Sequence, residues 1–151
     1  MRIVIQKVLN AKVVVEEKTV GAINNGYMLL VGLEEGDTLK DCERAASKIA
    51  NIRLFEDEDG KINRSIHDVN GEILAISQFT LAADSRKGNR PSFSKALSAD
   101  VARDMFSSFV GMMRDEGLHV ETGVFQAHMN VILDNDGPVT IILDIKDGKV
   151  V

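Results

Sequence analysis

Tryptophan is absent from this chain, cysteine and tyrosine occur once each, and 151 residues hold only two prolines and three histidines. A lone cysteine rules out an internal disulfide framework and suits a reducing compartment. His67, His119 and His128 are scattered, and with Cys42 they make no metal-ligand spacing. No apolar run approaches the ~20 residues of a membrane span. The first fifteen residues mix Arg2, Gln6, Lys7, Asn10 and Lys12 with apolar ones, so they do not read as a signal peptide. A surplus of positive charge is missing too. The formal net charge of −5 argues against indiscriminate nucleic-acid binding. One segment departs from that balance: Arg86, Lys87, Arg90 and Lys95 fall within ten residues that contain no acid. It reads either as a solvated loop or as a local basic patch.

What is present is ordinary for a globular protein, 44% apolar and 27% charged. The length fits one domain over 1–151, which buries roughly 70% of the surface its unfolded chain exposes. The first 33 residues are strand-like, with Ile3, Ile5, Val13 and Val15 alternating with their neighbours. Glu17-Lys18 reads as a tight hairpin, and Asn24-Asn25-Gly26 as a stronger turn, because Asn and Gly tolerate positive φ. Tyr27 to Leu33 reads as a buried central strand. The period then changes. Leu39, Cys42, Ala46 and Ile49 mark one face of a helix over 38–51, with a cap signal at Thr38 and Asp41. Cys42 lies on that stripe as a small core residue.

Ile52 to Phe55 and Glu72 to Thr80 read as strands. The acidic run Glu56 to Asp59 lacks the alternating ligands and distal Glu of a calcium loop, so it reads as a solvated turn. A second helix over 99–116 carries a stripe of Val101, Met105, Phe109 and Met112, with Ala102, Phe106 and Met113 beside it, Ser98 as N-cap and Gly117 as the stop. A short strand near Val120 precedes a hairpin with arms 130–134 and 139–145. The expected fold is α+β, a curved, barrel-like antiparallel sheet with two helices.

Two segments stand out at strand ends: Ser77-Gln78-Phe79-Thr80 and Asn135-Asp136-Gly137-Pro138-Val139-Thr140. Neither contains His, Cys or Lys. A hydrolase site usually pairs a nucleophile with a base. Here Asp136 is the one titratable residue, and a carboxylate in such a turn usually bonds the local backbone. On their own the hydroxyls of Ser77 and Thr80 read as polar strand tips.

The two motifs in this order resemble the D-aminoacyl-tRNA deacylases. Matching segments are residues 1–8, Leu54 to Asp57, Asn63 to Ser65, Arg86 to Gly88 and Arg90 to Phe93, so the resemblance covers essentially the whole chain. It implies a cytoplasmic homodimer, with no membrane segment, that binds the aminoacylated 3′ end of tRNA and hydrolyses D-amino acids from it without cofactor or metal. It also explains the missing base. An aminoacyl ester is already activated and lies beside the ribose 2′-hydroxyl, so the RNA assists its own hydrolysis while the protein orients the groups. The resemblance makes Ser77, Gln78, Phe79 and Thr80 the catalytic segment, with backbone N–H groups at Phe79-Thr80 as oxyanion donors and Met129 near the adenine. It implies that the Gly137-Pro138 peptide is cis and reaches into the partner's pocket, where main chain excludes every L side chain. Asn135 and Lys7 belong to that element; the family most often has Arg at position 7, and the Lys7 here is a departure. Glycine has no side chain to exclude, so glycyl-tRNA mischarged on alanine tRNA is an expected substrate. Arg86, Lys87 and Arg90 are the expected tRNA contacts.

Two other readings compete. A non-catalytic nucleic-acid module fits members of the family described as binding DNA at replication origins; those carry a C-terminal extension, and this chain ends at Val151. A small-molecule esterase would need an activated nucleophile, and would hydrolyse free amino-acid methyl esters about as fast as aminoacyl-tRNA.

Overall fold

The computed structural model describes residues 1–151. The strands are β1 (Arg2–Val15), β2 (Lys18–Ile23), β3 (Gly26–Gly32), β4 (Arg53–Glu56), β5 (Ile62–Ser65), β6 (Glu72–Ser77), β7 (His119–Thr122), β8 (Asn130–Lys146) and β9 (Lys149–Val150). Helices α1 (Leu39–Asn51) and α2 (Ala99–Asp115) cover one face of the main sheet, whose order is β7-β6-β3-β1-β8-β9, with β2 also paired to β1. Strands β4 and β5 form a separate ribbon.

The sheet curls because β1 changes partners along its length. Its first half pairs with β3, its second half with β2, and β8 runs along its other side throughout. A register shift between Val8 and Ala11 gives β1 one extra residue there. Such a bulge bends the strand and moves its apolar residues to the other face. Ile3 and Ile5 therefore pack in the main core under the helices, whereas Val8, Ala11 and Val13 pack with Ile23, Met28, Leu74 and Ile76 inside the curl.

Several expectations shift. The sheet is mixed: β3–β6 and β6–β7 are parallel, because α1 with the small ribbon, and then α2, carry the chain back between them. The first turn centres on Glu16-Glu17, both at positive φ, one residue before the expected pair. Leu39 and Val101 are exposed, and the buried faces are Cys42, Ala45, Ala46 and Ile49 on α1 and Ala102, Phe109, Val110 and Met113 on α2. The expected hairpin over 130–145 is a single long strand, β8, both halves of which pair with β1.

Asp41, the third residue of α1, is buried and accepts the N–H of Thr38 at 2.8 Å and that of Gly148 at 2.8 Å. It thus caps the helix and ties it to the turn before β9. Burial opposes the charge, but the two backbone hydrogen bonds outweigh it and hold the carboxyl below its usual range. Asp41→Ala is expected to cost about 2 kcal/mol at neutral pH. A lowered folded pKa means the carboxylate's contribution is present above the unfolded value of ~4 and is lost as pH falls through the folded value. Urea unfolding of both proteins should therefore show a gap that narrows in acid.

Candidate active site

Strand β6 ends at Ser77 because the chain turns there into a 3₁₀ segment, Phe79–Ala82. The strand expected to run to Thr80 is therefore shorter by three residues. Gln78 still donates its N–H to the Val31 carbonyl at 2.8 Å, which fixes the break at the edge of β3. Phe79 and Thr80 open the 3₁₀ turn, where the first N–H groups have no partner within the turn. The amide of Gln78 donates to the Thr80 hydroxyl. No basic side chain is bonded to either Ser77 or Thr80.

This break forms the wall of a cavity of about 700 Å³. Ser77, Gln78 and Phe79 line it together with Ile76, Leu33, Leu97 and Phe93. Phe79 is 56% exposed and meets Phe93 edge-on, with ring centroids 5.2 Å apart. The segment 125–129, which leads into β8 and includes Met129, also lines it. Twelve of the sixteen lining residues are apolar, so the space suits rings and aliphatic groups better than a polar ligand. Thr80 is not among the lining residues, although it belongs to the same turn.

The second motif lies elsewhere. Between the pairs Gln6–Thr140 and Val8–Asn135, β1 advances by two residues and β8 by five. The surplus leaves the ladder as a protruding loop at Asp136, Gly137 and Pro138. Gly137 and Pro138 are exposed, and the bond between them is cis. Asn135 closes the neck, its amide donating to the Lys7 carbonyl at 2.9 Å and the Val139 carbonyl at 3.1 Å. Lys7 is buried, with its ammonium 3.4 Å from Asp136 and 5.4 Å from the centre of the Phe55 ring. That ring stacks on Tyr27, whose buried hydroxyl has no partner and whose pKa burial pushes up. A single cation thus anchors the loop from beneath, held by a carboxylate on one side and an aromatic face on the other.

Within one chain the motifs do not meet. Along the cross-strand ladder, Ser77 is level with Val31, Ile3 and Leu143, whereas the loop faces Lys7 and Tyr27, level with Ile73. The separation is four residues along β6 and three strands across, or ~13 Å by ~14 Å in the sheet. Neither Gly137 nor Pro138 lines the cavity.

The basic segment is a loop pinned at its neck by reciprocal backbone bonds between Asp84 and Ser92. Arg86 is not free there. It grips Asp84 through two nitrogens, at 2.9 and 2.6 Å, and holds that carboxyl well below its usual range. Lys87 and Arg90 are exposed and form no ion pair. Met129, expected near the adenine, lines the cavity. Phe93 and residues 125–128 were missed from sequence: they form no nucleophile or hydroxyl motif, and only their packing reveals them.

Comparison with known proteins gives a consistent result. A family model described as D-Tyr-tRNA(Tyr) deacylase matches residues 4–144. The chain is 56% identical to a D-aminoacyl-tRNA deacylase of Thermotoga petrophila, over 95% of this chain and 97% of that protein. It is 53% identical to a D-aminoacyl-tRNA deacylase of Clostridium acetobutylicum, over 97% and 98%. Among solved structures, that of a c-Myc DNA Unwinding Element Binding Protein superposes with a TM-score of 0.89 at 40% identity, covering 96% of this chain and 99% of that one. Another, of a probable eukaryotic D-amino acid tRNA deacylase, gives 0.83 at 18% identity over 95% and 98%, a likeness of fold alone.

Proposed function

The chain belongs to the D-Tyr-tRNA(Tyr) deacylase family, and from that premise we propose how its residues remove D-amino acids from tRNA. The observation that carries the reading is the cavity at the end of β6, built from Ser77, Gln78 and Phe79 with no nucleophile–base pair. Such a site suits a substrate that brings its own reactivity. The aminoacyl ester sits against the 3₁₀ turn, the N–H groups of Phe79 and Thr80 receive the developing oxyanion, and the ribose 2′-hydroxyl assists the attack. Phe79 and Met129 hold the terminal adenosine. No cofactor or metal enters this scheme. The products are a free D-amino acid and tRNA.

Selectivity falls to the Gly137-Pro138 loop of a second copy. In one chain that loop protrudes well away from the cavity, anchored by Asn135 and Lys7, so a homodimer is what brings main chain to the pocket. The helix-free face of the sheet supports this assembly. Val4, Leu30 and Ile142 form an apolar row there, and Ile142 is 61% exposed. A second copy would cover it. A main-chain filter excludes L side chains and admits D ones, and it admits glycine, so glycyl-tRNA mischarged on alanine tRNA is a substrate too. Such an enzyme works in the cytoplasm, as one domain over 1–151.

Sedimentation and activity over one dilution series test the assembly. Activity should fall with the dimer; a fully active monomer would contradict the cross-subunit site.

For tRNA binding the free cations are Lys87 and Arg90, while Arg86 shapes the loop. Lys87→Ala with Arg90→Ala is expected to raise KM for aminoacyl-tRNA about tenfold and to flatten its salt dependence. Arg86→Ala should do less to the salt slope. A KM unmoved across a salt series would make this loop ordinary solvated surface.

DNA binding is the second reading, favoured by the 40% identity to a protein named for binding a DNA unwinding element. Binding of duplex DNA as tight as that of tRNA, with no turnover of D-aminoacyl-tRNA, would support it.

A further inference from the structure

The cavity has one ionisable lining side chain, His128. It lies in a segment where Gln126 takes a φ of +65° and where Gln126 and His128 are both exposed while lining the cavity. The other polar lining residues, Ser77 and Gln78, are half-buried at the strand end. The cavity thus has an uncharged, mostly apolar interior and one cation-capable donor at its rim.

We propose that His128 contacts the phosphodiester on the 5′ side of the terminal adenosine, as the first of the phosphate contacts that Lys87 and Arg90 continue. The proposal rests on the tRNA-deacylase reading of this cavity. In an aminoacylated 3′ terminus the adenine and ribose are neutral, and two charges lie near the ester: the ammonium of the amino acid and that phosphate. An imidazole N–H, neutral or protonated, is a donor suited to a phosphate oxygen and not to an ammonium. The base and ribose occupy the apolar interior between Phe79 and Met129, so the phosphate that follows them emerges at the mouth, where His128 stands. The remaining cations of the basic loop do not line the cavity and are left for phosphates further along the strand. His128 is therefore a substrate-contacting residue that registers the nucleotide, with no role at the reacting ester.

The test compares two substrates on the intact protein. One is D-tyrosyl-adenosine, which has no 5′ phosphate; the other is a short D-tyrosyl-tRNA acceptor minihelix. His128→Ala should raise KM for the minihelix about five- to tenfold with kcat held, the loss of one charge-assisted contact at an exposed site. The same variant should cleave the nucleoside ester like the wild type. His128→Lys, which restores an N–H donor, should recover part of the lost affinity. Equal losses on both substrates would show that His128 shapes the cavity and not the phosphate contact; no loss on either would show that it contacts nothing. Both results overturn the proposal. If the wild type cleaves neither substrate, the deacylase reading itself fails. That result cannot be confused with a change in the variant alone.

Discussion

A D-aminoacyl-tRNA whose terminal ribose lacks the 2′-hydroxyl, with the amino acid on the 3′ oxygen, is expected to bind normally and to be hydrolysed at least ~10³-fold more slowly than the ribose substrate. Thr80→Ala and Ser77→Ala, by contrast, should each keep kcat within about tenfold of the wild type, the ordinary range for losing one orienting contact. The reason lies in what surrounds the two hydroxyls. A neutral alcohol is a weak nucleophile at pH 7 unless a base removes its proton. The polar neighbour bonded to Thr80 is the Gln78 amide, which donates to it and cannot take its proton. Ser77 lines a cavity whose only ionisable group is His128, which is exposed and makes no hydrogen bond to Ser77. In the proposed scheme the activated ester and its neighbouring 2′-hydroxyl supply what these side chains lack. Single-turnover kinetics on the ribose and deoxy substrates, with the wild type and both variants, check this. Fast deoxy turnover together with an inert Thr80→Ala enzyme would move the chemistry from the RNA to the protein.

Gly137→Ala is expected to lower kcat/KM on D-aminoacyl-tRNA by about 10²-fold or more while leaving the fold intact. Gly137 has a φ of +123°, a conformation that side-chain-bearing residues rarely adopt. A Cβ there would lie 2.8 Å from Cγ2 of Val139 and 3.0 Å from its backbone nitrogen. Relief requires the loop tip to move, since Asn135 and Lys7 hold its base. The strain of roughly 1–3 kcal/mol is confined to an exposed loop, so unfolding should remain cooperative. The activity cost is larger, because a displacement of about 1 Å in a positioning element is felt in full at the reacting centre. Circular dichroism and urea unfolding establish the fold, and initial rates establish the loss. An alanine variant with normal rates would show that the loop has no part in the pocket.

Much of the architecture was legible because local rules and the fold agree. The helix over 38–51, its cap at Asp41, the turn at Asn24-Asn25-Gly26 and the buried strand from Tyr27 all follow from period, capping and turn chemistry. Two readings departed for one reason: pairing partners are not written in a strand's own sequence. Asn135-Asp136-Gly137-Pro138 has the composition of a hairpin turn, yet β1 is long enough to pair with both flanking arms, so the segment is extruded from one continuous strand. The parallel pairing of β6 with β3 likewise depends on where α1 and the small ribbon return the chain. At the site, Ser77 to Thr80 on their own read as polar strand tips, and only the family resemblance marked the segment as a candidate site. Of the lining segment Phe125 to Met129, the resemblance marked only Met129; Phe125 to His128 carry no such mark. Arg86 shows the converse, a cation that looks free in sequence and is spent on Asp84 two residues away.

The central claim is enantiomer selection by main chain. Paired D-Tyr-tRNA and L-Tyr-tRNA, each incubated with the purified protein in the presence of a chelator, test it most directly. Deacylation of the D ester should be at least ~10²-fold faster, the discrimination expected when one isomer collides with fixed backbone and the other does not. Equal rates on the two enantiomers would contradict the account.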